Sequence, residues 1–181
     1  MDELTESEEQ FLKRVVQHLE QSEHRTRERR AARFVIASKL PQVPSVLVGR
    51  FEQLHLLEEA QRCFIEGLFA STVIVAFSVI EHSLDEESGI SQGKTSADTK
   101  RKGPLQLCRD AGLVSQELLH RAYALRDVRN ALIHYRPSGD SSSVIARSSA
   151  QGKSPFGLLE EDAREALLLS REIFIATLRS V

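Results

Sequence analysis

The sequence predicts an all-α fold, an up-and-down bundle of four main helices plus one short helix. Three observations carry this. Apolar residues recur at mixed three- and four-residue spacings over long stretches. Prolines and glycines punctuate those stretches, among them Pro41, Pro44, Pro104, Gly112 and Pro137. The only strand candidates, residues 43–48 and 144–146, are too short to build a sheet. A chain of 181 residues fits a single domain with one core. Residues 1–48 supply an N-terminal helix and an extended crossing segment of that domain, and residues 49–181 supply its helical core.

The first helix spans about residues 5–39, where Phe11, Val15, Leu19, Ala32, Val35 and Ile36 sit among charges. Ser7 followed by Gln10 is spaced for a capping box at its start. Pro41 and Pro44 end it and impose extended backbone. One longer helix is expected over about 49–87, with Leu54, Leu57, Cys63, Ile65, Leu68 and Phe69 at helical spacings. From Phe69 to Ile80 it is apolar almost all round, which marks a central buried helix. Val, Ile and Phe also suit a strand, but no cluster of turn residues flanks the run. Residues 88–103, with three glycines, are expected to form a basic exposed loop.

Pro104 opens a short helix that Gly112 ends. Ser115 caps the next, with Leu118, Leu119, Ala122, Leu125, Val128 and Leu132 on one face and Pro137 as its stop. Residues 138–157 hold seven serines and three glycines and are expected to be a flexible loop. A last amphipathic helix covers about 158–179, with Ala163, Ala166, Leu167, Phe174 and Leu178 inward.

Composition excludes several classes. Hydrophobic residues at 41% with 28% charged residues fit neither a disordered nor a membranous chain. The uncharged run 67–80 is 14 residues, short of a membrane span. The acidic start Met1-Asp2-Glu3 lacks the features of a secretory signal, and two cysteines make neither a disulfide framework nor a zinc site. A reducing cytoplasm is therefore the expected compartment. The net charge of −2 excludes a globally basic nucleic-acid binder but not a local basic site. No Trp and only two Tyr argue against a base-stacking single-strand binder.

Several motifs resolve into ordinary features. Gly93-Lys94-Thr95 has Ser88 where a phosphate-binding loop needs glycine, and a helix precedes it. Arg25, Arg27, Arg29, Arg30 and Arg33 spread over more than one helix face, which fits a solvated surface, with a phosphate-contacting strip as the lesser alternative. His82 and Glu86 are spaced for two metal ligands, but no third follows, so no metal or other cofactor is expected. Glu81 closes the apolar run near the interior, where a carboxylate needs a partner. That makes it a structural or site-supporting residue.

The informative segment is Leu125-Arg126-Asp127-Val128-Arg129-Asn130-Ala131-Leu132-Ile133-His134-Tyr135-Arg136-Pro137. On a continuous helix Asn130 and His134 share a face, and Arg126 extends it by a turn. Arg129 lies about 140° from His134 around the helix, so it reaches the same site through its long side chain or from a neighbouring subunit. The plain alternative is that His134 and Arg136 are cations favoured by a helix C-terminus.

The spacing Arg129, four residues, His134, with Asn130 directly after the arginine, resembles the signature of the HEPN superfamily (higher eukaryotes and prokaryotes nucleotide-binding). The long apolar helix ending at Glu81 and the lead-in Ala111-Gly112-Leu113-Val114 resemble it too. The likeness covers about residues 52–178. In the superfamily's toxins paired with small nucleotidyltransferases the pattern is often His-x-Tyr, whereas Tyr135 follows His134 directly.

The resemblance implies a metal-independent endoribonuclease. Arg129, His134 and Asn130 would be catalytic, the substrate RNA, and the site built across a homodimer, with toxin or defence roles among those open to it. Arg126, Lys100, Arg101 and Lys102 are candidate RNA contacts, and Tyr135 a supporting residue. The alternative is a non-catalytic module that binds a nucleotide, RNA or a protein partner. No membrane contact is expected.

Overall fold

The computed structural model describes residues 6–43, 50–92, 103–137 and 139–178. Among them every regular element is an α-helix, so the fold is an all-α bundle. The chain divides into two compact units, Met1–Lys39 and Leu40–Val181. The first holds one helix, α1 (Glu6–Ser38). Ser7 lies inside α1 rather than at the cap position expected for it.

The second unit holds α2 (Phe51–Glu66), α3 (Phe69–Gln92), α4 (Pro104–Ala111), α5 (Gln116–Ile133), α6 (Val144–Gln151) and α7 (Pro155–Ala176). As the apolar run predicts, α3 is central, packed mainly on α7 and α2 and also on α4 and α5. Its Val73, Ala76, Phe77, Val79, Ile80 and Leu84 are fully buried, as are Phe64 of α2 and Ile173 and Phe174 of α7. This burial is the main source of stability, at about 1.5–3 kcal/mol for each large apolar side chain.

The single helix expected over 49–87 is two. Gly67 sits in the left-handed region at φ 80°. Its N–H donates to the Phe64 carbonyl at 3.0 Å, and Leu68 N–H donates to the Cys63 carbonyl at 2.9 Å. This pair of bonds satisfies carbonyls left open at the end of α2 and turns the chain into α3. Gly67→Ala should cost about 1–2 kcal/mol, because a Cβ disfavours this backbone. Urea unfolding checks this, and an unchanged midpoint would contradict the assigned role.

The serine-rich segment 138–157 is also not one loop, since it contains α6 and the start of α7. Two of its serines, Ser143 and Ser154, serve as helix caps. Ser143 Oγ accepts from Ala146 N–H at 3.2 Å, and Ser154 Oγ accepts from Gly157 N–H at 3.0 Å, with Pro155 in the first turn. Asp140 accepts from Ser142 N–H and Oγ at 2.8 and 2.6 Å, which holds its carboxyl below the usual carboxylate range. Arg147 on α6 binds Asp162 on α7 in a two-pronged contact of 2.9 and 2.6 Å. Residues 144–146, one of the strand candidates, are helical. The other candidate, 43–48, falls mostly outside the described residues. The expected loop 88–103 begins later than predicted, because α3 continues to Gln92; residues 93–102 lie outside the described set.

Two arginines fasten the bundle. Arg50, at the start of α2, donates to Thr177 Oγ1 and carbonyl at 3.0 and 2.9 Å, meets Glu86 at 3.2 Å and lies over the Phe174 ring. Arg121 of α5 binds Glu165 and Glu172 of α7 at 2.7 and 2.6 Å, and its hydrogen bond to Glu165 leads the causes that raise its pKa. Neither role is legible from local spacing, since each joins residues far apart in sequence.

Candidate functional site at the end of α5

The Ser115 side chain caps α5 by accepting from Leu118 N–H at 3.3 Å, as the sequence predicts. Leu119, Ala122 and Leu125 are buried, so the first two-thirds of α5 is anchored in the core. The last turns are less covered: Val128, Ala131 and Leu132 are half-buried and Ile133 is exposed. The candidate residues project from this thinly covered end.

Arg129 is half-buried and held from three directions. It donates to Asn130 Oδ1 at 3.0 Å, lies 3.7 Å from Glu81 Oε2, and its guanidinium is centred 5.4 Å from the middle of the Phe77 ring. Glu81 thus has the cationic partner its position demands, supplied by the motif arginine itself. The contact fixes α5 against α3 and sets the direction of Arg129. Asn130 accepts from Arg129 through its side-chain oxygen, which leaves its amide N–H groups to donate elsewhere.

His134 departs from the sequence expectation. α5 ends at Ile133, and His134 is the residue after it, with extended backbone at φ −114° and ψ 140°. Its N–H still donates to the Asn130 carbonyl at 3.1 Å, so the chain leaves the helix at this residue. The shared helix face inferred for Asn130 and His134 therefore stops one residue short. His134 is exposed and Tyr135 is 90% exposed. Arg136 turns to Asp140 at 3.6 Å.

Arg126 lies over the Tyr123 ring at 4.9 Å and near Asp127 at 3.8 Å. Arg109, from the last turn of α4, lies over the same ring at 5.7 Å. Two guanidinium groups thus gather on one aromatic ring of the motif helix. Sequence reasoning missed Tyr123 and Arg109. The three-residue step from Tyr123 to Arg126 is a visible signal, but Arg109 comes from another helix and gives none. Lys100, Arg101 and Lys102 lie outside the described residues.

The other sequence candidates separate from this site. Glu86 is engaged by Arg50 and by Gln53 Nε2 at 3.1 Å, while His82 is exposed. Among the described residues no group of three or more His, Cys, Asp or Glu is arranged to hold a metal ion. Cys108 is buried and its thiol donates to the Leu84 carbonyl at 3.3 Å. Burial, with Glu87 and Asp85 nearby, pushes its pKa up to about 11, so it is a poor nucleophile. No helix among the described residues is long and apolar enough to cross a membrane.

No protein-family model matches the chain, and no curated protein or solved structure matches it. The residues at the end of α5 therefore carry the functional reading.

Proposed function

We propose that the chain is an endoribonuclease of HEPN type that cuts RNA without a metal ion, using Arg129, Asn130 and His134 across a two-fold interface. The observation that carries this reading is the exposed imidazole of His134, one residue past a helix whose last turn carries the hydrogen-bonded Arg129–Asn130 pair. Ribose in RNA places a 2′-hydroxyl beside the scissile phosphate. A base removes its proton, the oxygen attacks phosphorus, and the 5′-oxygen departs with a proton from an acid. Histidine can take up or release a proton near neutral pH, so its imidazole suits either role. Arginine suits the phosphoryl oxygens, whose charge grows in the transition state.

Each chain offers one His134. A two-fold axis near the end of α5 would bring a second, so that one imidazole acts as base and the other as acid. The half-buried Leu132 and exposed Ile133 give such a contact apolar surface. The Glu81–Arg129 contact favours a second reading, in which Arg129 is a structural anchor and the chain a non-catalytic RNA- or protein-binding module.

Substrate substitution separates the two. An RNA carrying a single 2′-deoxyribose on the 5′ side of its cleavage point should resist cutting there, while neighbouring positions remain cuttable. Cleavage at the deoxy position would defeat the proposed chemistry. Binding of RNA with no cleavage over a broad panel would favour the module.

A further inference from the structure

We infer that α1 pairs antiparallel with α1 of a second copy of this chain. Phe11, Leu12, Val15, Val16 and Leu19 recur at three- and four-residue steps and form one stripe along α1. Phe11, Leu12, Val16 and Leu19 are between 45% and 63% exposed, and Val15 is half-buried. α1 is the only helix among the described residues of its unit, so no other described element of that unit covers the stripe. A 33-residue helix rich in charge draws most of its stability from packing its apolar face, so this stripe needs an occupant.

Charge selects the occupant and its direction. The first half of the helix sequence, residues 6–23, has five glutamates against two basic residues, Lys13 and Arg14; the second half, 24–38, has five arginines against one glutamate. A second copy in the antiparallel direction sets the acidic half of each helix along the basic half of the other. A parallel copy sets like against like, which is unfavourable.

The flanks of the stripe agree with this. Glu9 and Arg27 are both exposed and lie 18 residues apart, about five turns, so they share one flank. A crossing centred between Val16 and Leu19 brings Glu9 of each copy beside Arg27 of the other. At this register Val16 of each copy meets Leu19 of the other at the middle, Phe11 and Leu12 lie along residues 22–26 of the other copy, and the opposite charges close the two ends. This pairing uses α1 alone and does not depend on the chemistry proposed at α5.

The test uses full-length chains. Glu9→Cys and Arg27→Cys variants are mixed in equal amounts and mildly oxidised, and the links are located by peptide mapping. The expected product is the mixed disulfide between positions 9 and 27, with links between like positions absent. Links of 9 to 9 and 27 to 27 would overturn the antiparallel direction. A monomeric mass at high concentration with no link at either position would overturn the pairing. Adding Leu12→Glu and Leu19→Glu to both variants should abolish the mixed link without altering the melting of the second unit, which contains neither residue. Persistence of the link in those chains would also contradict the inference. The same cross-link is expected in His134→Ala chains, so failure of the ribonuclease reading and failure of this pairing are distinguishable.

Discussion

His134→Ala should lower RNA cleavage by about 10²–10⁴-fold, the range for loss of a positioned acid or base, with melting essentially unchanged. The imidazole lies beyond the last helical residue, is exposed, and fills no part of the core. Arg129→Ala should also abolish cleavage, but with a measurable loss of stability. It removes the partner of Glu81 and the cation over Phe77. Arg129→Lys should keep part of the ion pair yet recover little activity, since lysine cannot reproduce the planar fork toward a phosphate. If His134 were only a cation at a helix end, His134→Ala would shift stability by a few tenths of a kcal/mol and leave cleavage intact. Melting temperature and cleavage rate measured on the same preparations separate these outcomes, and full activity in His134→Ala would remove the mechanism.

Phe77→Ala should cost about 3–5 kcal/mol of stability, more than any substitution of the polar residues above it. Phe77 is fully buried on the central helix and underlies Arg129. Truncation therefore opens a cavity in the core and loosens the support of the site together. Phe77→Leu should cost much less, below about 1.5 kcal/mol, because most of the volume is retained. Tyr135→Ala, at a side chain 90% exposed, should stay within about 0.5 kcal/mol of the parent. Urea denaturation of the three variants checks the order. A Phe77→Ala protein as stable as Tyr135→Ala would mean that α3 is not the centre of the core.

The class of the fold is legible because helical periodicity persists over long stretches and survives tertiary packing. The central helix, the Pro104 and Ser115 starts, and the Gly112 stop all rest on strong local signals. The departures turn on single residues whose meaning depends on context. Gly67 sits inside an apolar run that outweighs it, although its left-handed backbone divides α2 from α3. The serines after Pro137 point to a loop by composition, whereas Ser143 and Ser154 are helix caps and Arg147 ties α6 to Asp162.

At the site, the need of Glu81 for a partner is legible, but that the partner is Arg129 is not, since the two lie on different helices. Position four after Asn130 suggests a shared face for His134. The chain leaves the helix at His134, and periodicity alone does not mark that exit one residue ahead of Tyr135.

The chemistry at the end of α5 is tested most directly by the ends of the RNA it produces. Full-length protein is incubated with a defined RNA in excess EDTA, and the fragments are weighed by mass spectrometry. Attack by the 2′-hydroxyl predicts undiminished cleavage that leaves a 2′,3′-cyclic phosphate on one fragment and a 5′-hydroxyl on the other. Cleavage lost on adding EDTA, or fragments ending in 3′-hydroxyl and 5′-phosphate, would contradict that chemistry.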